Sequence, residues 1–157
     1  MVEKIMFLEA KNTELILAGK DFFERDLFLE KATYNAWLTL QKAAKMNQVE
    51  LYIVSGFRSY EYQQKIIDRK LASGQTLEQI SKVNALPGQS EHHTGRAIDL
   101  TTTNEKEALT EEFEKTHAFK WLTENAHKFG FKMSFPPNNK YGFIYEPWHW
   151  CYQNEKN

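Results

Sequence analysis

Two segments far apart in the chain hold the residues best able to do chemistry: Ser90-Glu91-His92-His93-Thr94-Gly95-Arg96-Ala97-Ile98-Asp99 and Glu146-Pro147-Trp148-His149. Together they offer imidazole nitrogens and carboxylate oxygens, a mixture that suits zinc, whereas calcium or magnesium would ask for mostly oxygen ligands. A catalytic zinc takes three protein ligands and keeps a fourth position for water. His92, Asp99 and His149 are assigned as the ligands, which leaves Glu146 as a base. Zinc brings the pKa of a bound water down to about 7, and a nearby carboxylate can take its proton as the water attacks a carbonyl. The pattern therefore points to hydrolysis.

The elements that must hold these residues read as α+β, a small antiparallel sheet with flanking helices and the zinc site in a cleft on the sheet. Gly95 permits a sharp turn after His92, and Ala97-Ile98-Asp99-Leu100 reads as a short buried strand, so His92 sits on a loop and Asp99 on a rigid element. Tyr141 to Tyr145 is aromatic and β-branched enough for a strand, and Pro147 argues against a helix through Glu146 and His149. This is not the helical HExxH arrangement. Upstream, residues 31 to 46 predict a helix with Ala36, Leu40, Ala43 and Ala44 on one face. Val49 to Val54 predicts a strand running into Ser55-Gly56-Phe57-Arg58-Ser59, where Ser59 caps a helix over 60 to 73 that stops at Gly74. Thr76 to Gln79 has a capping-box pattern, and Pro87-Gly88 marks a turn. A further helix is expected over 117 to 128, with Gly130 past its end and residues 131 to 139 forming a connection to the last strand.

The motif SxHxxGxAxD is matched at Ser90, His92, Gly95, Ala97 and Asp99, and ExxH at Glu146 and His149. In these residues the chain resembles the VanY-type D-alanyl-D-alanine carboxypeptidases, within a wider zinc peptidase group that includes VanX dipeptidases, L,D-carboxypeptidases and some phage endolysins. Ser55-Gly56-Phe57-Arg58-Ser59 followed by Gln63 is similar to that family's substrate-side SGxRS segment. The resemblance runs over roughly residues 30 to 152. It implies that His92, Asp99 and His149 bind zinc, that Glu146 is the general base, and that Arg58 stabilises the reacting peptide or its carboxylate. The implied substrate is a peptidoglycan stem peptide ending in D-Ala, cut at a D,D or an L,D bond. Endolysin-type internal cleavage is the alternative within the family. A non-catalytic zinc-binding module is the alternative outside it, and Glu146 weighs against that reading, because a binding module has no chemical need for a carboxylate beside an open zinc position.

Other residues near these motifs have two readings each. Gln63 either contacts substrate or lies on an exposed helix face. Ser90 either hydrogen-bonds substrate or fixes the His92 loop, and Trp148 either lines the cleft or fills the core. His93, His117 and His127 lack motif context and read as ordinary histidines. Cys151, next to His149-Trp150, reads as a small, partly buried residue rather than a ligand.

Composition narrows the class. The chain has 157 residues and a formal net charge of −1, with no basic stripe, so nucleic acid is excluded as an expected partner. A chain of this length buries roughly 70% of its unfolded surface, enough for one domain over residues 1–157 without disulfide staples. With one cysteine, Cys151, no internal disulfide forms, which permits a reducing compartment. The apolar run Ile5 to Leu8 falls short of the roughly 7 to 15 residues of a secretory core, and no stretch approaches the ~20 residues of a membrane span. The expectation is a monomer, cytoplasmic as written, and periplasmic or secreted if a signal peptide has been removed.

Overall fold

Helix α1 (Lys31–Met46) shows how the chain builds its core: Thr33, Trp37, Leu40 and Ala44 recur at helical spacing and are buried, while Ala36 and Ala43 pack at the edge of that face. The computed structural model describes residues 5–153. Ahead of α1 stands an antiparallel hairpin, β1 (Leu15–Lys20) and β2 (Asp26–Glu30), that the sequence reading did not anticipate. Its turn is organised by Asp21, whose Oδ1 accepts from the Phe23 and Arg25 amides at 2.8 and 3.0 Å. In β2 the buried Leu27 and Leu29 flank the exposed Phe28, so the strand covers the core with alternate residues.

The central sheet comprises β3 (Tyr52–Ser55), β4 (Ala97–Thr101), β5 (Phe131–Met133) and β6 (His149–Tyr152), antiparallel in the order β3-β4-β6-β5. This is the α+β architecture expected. Ile98, Leu100 and Trp150 join the hydrophobic core with α1 and with Ala118, Trp121 and Leu122 of α4 (His117–Asn125). Alternation then sends Asp99 and His149 to the opposite face of the sheet. Helix α2 (Tyr60–Ala72) follows β3, with Ser59 Oγ accepting from the Tyr62 amide at 3.0 Å as its cap. The capping box at Thr76 and Gln79 opens α3 (Leu77–Val83). No helix among the described residues is long and apolar enough to cross a membrane.

Four expected elements change. The strand after α1 begins at Tyr52 rather than Val49, and the helix expected to reach 128 ends at Asn125, continuing as a 3-10 turn over Ala126–Phe129 before Gly130 at φ 87°. Phe131–Met133, expected as connection, is the edge strand β5, too short to print a readable alternation. Conversely, the segment Tyr141 to Tyr145 is not a strand. Asn139 explains it: its Oδ1 accepts from the Tyr141 and Phe143 amides and its Nδ2 donates to the Phe143 carbonyl at 2.8 Å. These local bonds replace a ladder, and the aromatic rings of Tyr141 and Phe143 instead pack edge-on against Phe135.

Candidate metal centre

Strand register assembles the centre. Ser55 pairs with Asp99 and Asp99 pairs with His149, so three neighbouring strands present these residues at one level of one sheet face. The first pairing depends on a register shift between Ile53 and Ser55, which brings Ser55 opposite Asp99. His92 reaches the same point from a 3-10 turn (Glu91–Thr94) that Ser90 caps by accepting from the His92 amide at 3.1 Å. Gly95 closes that turn at φ 75°, and a Cβ there would stand 3.0 Å from the Glu30 amide nitrogen, so both the left-handed backbone and the close approach of β2 require glycine.

The donors converge. Ligand atoms of His92, Asp99 and His149 all lie within 4.8 Å of one another, and all three residues are buried. His92 Nε2 is 3.2 Å and His149 Nδ1 3.1 Å from Asp99 Oδ1. Each ring spends its other nitrogen elsewhere: His92 Nδ1–H donates to the Gly56 carbonyl at 2.8 Å, and His149 Nε2–H to Glu91 Oε1 at 2.8 Å. In the neutral rings, this leaves two nitrogen lone pairs and a carboxylate facing one another with no donor between them. Such a set calls for a cation, and its nitrogen and oxygen composition fits zinc.

The charges respond to this crowding. Burial opposes a charged ring at His149, but hydrogen bonds that its ring donates to the Asp99 and Glu91 carboxylates outweigh it and push the metal-free residue up to about 10. At His92 burial dominates and lowers the pKa. Asp99 keeps its charge despite burial, because both rings hold its carboxyl well below the usual range. Glu146 Oε1 stands 3.8 Å from His149 Nδ1, and burial, with the nearby Asp99 and Glu91 charges, raises its pKa to about 7. Its amide donates to the Phe135 carbonyl at 3.0 Å and its carbonyl accepts from the His149 amide at 3.1 Å, which fixes the stretch Pro147 had excluded from a helix.

Arg58 is held on several sides. Its Nε donates to Ser55 Oγ at 2.9 Å, its guanidinium reaches Asp99 Oδ2 at 3.4 Å, and its amide donates to the His92 carbonyl at 3.1 Å. All the sequence-derived candidates line one cleft of about 370 Å³: Arg58, Gln63, Ser90, His92, Asp99, Glu146, Trp148 and His149. Gln63 is 1% exposed, which removes its reading as an exposed helix residue; its Nε2 donates to the Ala85 carbonyl at 2.7 Å, while Oε1 has no partner. Ser90 does fix the His92 turn, and Trp148 both packs in the core and borders the cleft.

Among the other histidines, His117 and His127 are exposed, as ordinary histidines often are. His93 is fully buried and structural, accepting from the Gly88 amide at 3.0 Å and donating to the Arg58 carbonyl at 2.7 Å. Cys151 is buried outside the donor group, and burial raises its thiol pKa, the Glu91 charge adding to the effect. Three residues were missed by sequence reasoning: Glu91, Ser134, which donates to Glu91 Oε1 at 2.6 Å, and Phe135, whose ring lies 4.6 Å from that of His149. Only Glu91 carried a signal, a carboxylate next to a candidate metal-binding histidine.

Comparison with known proteins identifies what the chain is similar to. The chain is 35% identical over 150 residues to the putative carboxypeptidase YodJ of Bacillus subtilis (strain 168), an alignment that takes in 92% of this chain and 55% of that protein. It thus spans little more than half the length of that relative. The solved structure of the LdcB L,D-carboxypeptidase superposes with a TM-score of 0.83 at 33% identity, covering 93% of this chain and 71% of that one. A mutant of the vancomycin-resistance D,D-pentapeptidase VanY, solved in complex with Zn(II), superposes with a TM-score of 0.69 at 26% identity over 93% of this chain and 86% of that one. The family model described as VanY, D-alanyl-D-alanine carboxypeptidase, matches residues 26–155, and the chain belongs to that family.

Proposed function

We propose that this chain is a zinc-dependent carboxypeptidase that removes the C-terminal D-Ala of peptidoglycan stem peptides. The observation that carries the proposal is the meeting of His92, Asp99 and His149 in one cleft with a buried Glu146 carboxyl 3.8 Å from His149 and the Arg58 guanidinium beside Asp99. His92 Nε2, His149 Nδ1 and the Asp99 carboxylate would hold the metal. A zinc ion held there would supply an acidified water and polarisation of the scissile carbonyl.

The remaining steps belong to the protein. Glu146, its carboxyl 3.8 Å from His149, takes a proton from the attacking water and returns it to the departing amine. The peptide C–N bond breaks, the water oxygen becomes part of the new carboxylate, and free D-Ala leaves with the proton. Arg58, fixed by Ser55 and Asp99, sets a permanent positive charge against the negative charge that develops on the substrate. The Ser90 hydroxyl offers a polar contact along the same wall and Trp148 an apolar one, while Gln63 borders the cleft with its Oε1 buried.

Mass analysis of defined muropeptides, one ending in D-Ala-D-Ala and one in an L,D bond to D-Ala, tests the reading. Wild-type protein with zinc releases D-Ala from at least one of them, and Glu146→Ala slows that release about 10²-fold or more while still binding zinc. Release of D-Ala from neither peptide would refute the carboxypeptidase, and internal cleavage without free D-Ala would transfer the chain to the endolysin type.

A further inference from the structure

Glu91 makes a contact that the ligand set and the base do not account for. It opens the turn that carries His92, yet its carboxylate reaches the other histidine, where Oε1 accepts from His149 Nε2–H at 2.8 Å. The same oxygen accepts from the Ser134 hydroxyl at 2.6 Å, and the Glu91 side chain is only 13% exposed. Glu91 is absent from the converging donors, because it engages the ring nitrogen that points away from Asp99. We propose that Glu91, held by Ser134, is a positioning residue that orients His149 and strengthens its bond to the metal.

The geometry assigns three effects to this pair. A hydrogen bond at Nε2 keeps the hydrogen there, so the Nδ1 lone pair stays aimed at the centre. A carboxylate acceptor draws the Nε2–H bond toward itself, which makes Nδ1 a stronger donor to a cation than a backbone carbonyl would. Finally, Ser134 directly follows β5, and Phe135 beside it supports both the His149 ring and, through its carbonyl, the Glu146 amide. Glu91 thus joins the His92 turn to the segment that leads to the base. A role as a second base is disfavoured by placement, since Glu146 approaches the Nδ1 side of the ring and Glu91 the Nε2 side.

This assignment rests on the zinc site proposed above, and the test keeps the two apart. Zinc affinity is measured by competition with a chromophoric chelator for wild type, Glu91→Gln, Glu91→Ala and Ser134→Ala, alongside thermal unfolding of each metal-free protein. Glu91→Ala should weaken zinc binding about 10- to 100-fold, and Ser134→Ala by less. Glu91→Gln, which retains an acceptor but not the charge, should fall between wild type and Glu91→Ala. The cobalt-substituted protein should show a shifted visible spectrum in Glu91→Ala, a signature that loss of stability alone does not produce. Wild-type zinc affinity in a folded Glu91→Ala protein would overturn the positioning role. Lost turnover at unchanged affinity would also overturn it and make Glu91 part of proton transfer. Failure of the wild type itself to bind zinc would overturn the metal site, and the positioning role with it.

Discussion

His149 sets burial directly against charge. Its ring is 2% exposed yet faces carboxylates at both nitrogens, and the resulting pKa of about 10 means that the metal-free protein holds it protonated at neutral pH. Zinc requires the neutral ring, so uptake at pH 7 must expel the Nδ1 proton. Below about 10, each unit fall in pH should weaken zinc binding by up to tenfold through this group. Titration calorimetry in two buffers of different ionisation enthalpy reads the effect directly; equal heats in both would reject it. The residues of the centre were legible because ligand chemistry demands particular side chains at motif spacing, as at His92, Asp99 and His149. Glu91, Ser134 and Phe135 were not, since what makes them matter is contact across the fold, and nothing in local spacing announces that Ser134 will meet Glu91.

At the scale of elements, the centre depends on turns as much as on strands. The turn ending at Gly95 holds His92 between the sheet and β2, and the Gly95 carbonyl accepts from the Glu30 amide at 3.0 Å. An alanine there must adopt a left-handed backbone, at a cost of about 1–3 kcal/mol, and its Cβ would press on the Glu30 amide nitrogen of β2 as well as on the Leu15 side chain. Gly95→Ala should therefore lower unfolding free energy by at least about 1 kcal/mol in urea and weaken zinc binding as His92 shifts. Unaltered stability would show that the turn tolerates a Cβ. The same scale explains which elements could be read in advance. Helix α1 advertises itself through sixteen residues of 3.6 periodicity, and α2 through its Ser59 cap. The three-residue strand β5 is too brief for a pattern, and Tyr141 to Tyr145 has strand-like composition that the Asn139 side chain overrides.

Across the whole molecule, the family match begins at residue 26, but the structure ties earlier chain to the centre. The Phe7 amide donates to the Gly88 carbonyl at 2.7 Å and the Ala10 amide to the His93 carbonyl at 2.8 Å, bracing both sides of the turn that carries His92. Glu9 accepts from the Tyr60 amide at 2.6 Å, next to the Ser59 cap of α2, and the Tyr60 hydroxyl donates to the Phe7 carbonyl. His93 joins these contacts to Arg58, because its ring packs edge-on against Tyr60 while its Nδ1–H holds the Arg58 carbonyl. Chain outside the family match thus clamps the loop bearing His92 to the start of α2, next to Arg58. At about 1 kcal/mol net for each hydrogen bond, removing residues 1–11 should cost roughly 2–4 kcal/mol and lower the unfolding temperature by at least about 4 °C. The sheet, α1 and α4 form their own packed core, so the truncated protein should still fold cooperatively. Its losses should concentrate at the centre, as weaker zinc binding and a larger fall in turnover than the stability change alone gives. Calorimetric unfolding with a zinc titration on the shortened chain checks this, and wild-type unfolding temperature and metal affinity together would show the segment to be a passive cover.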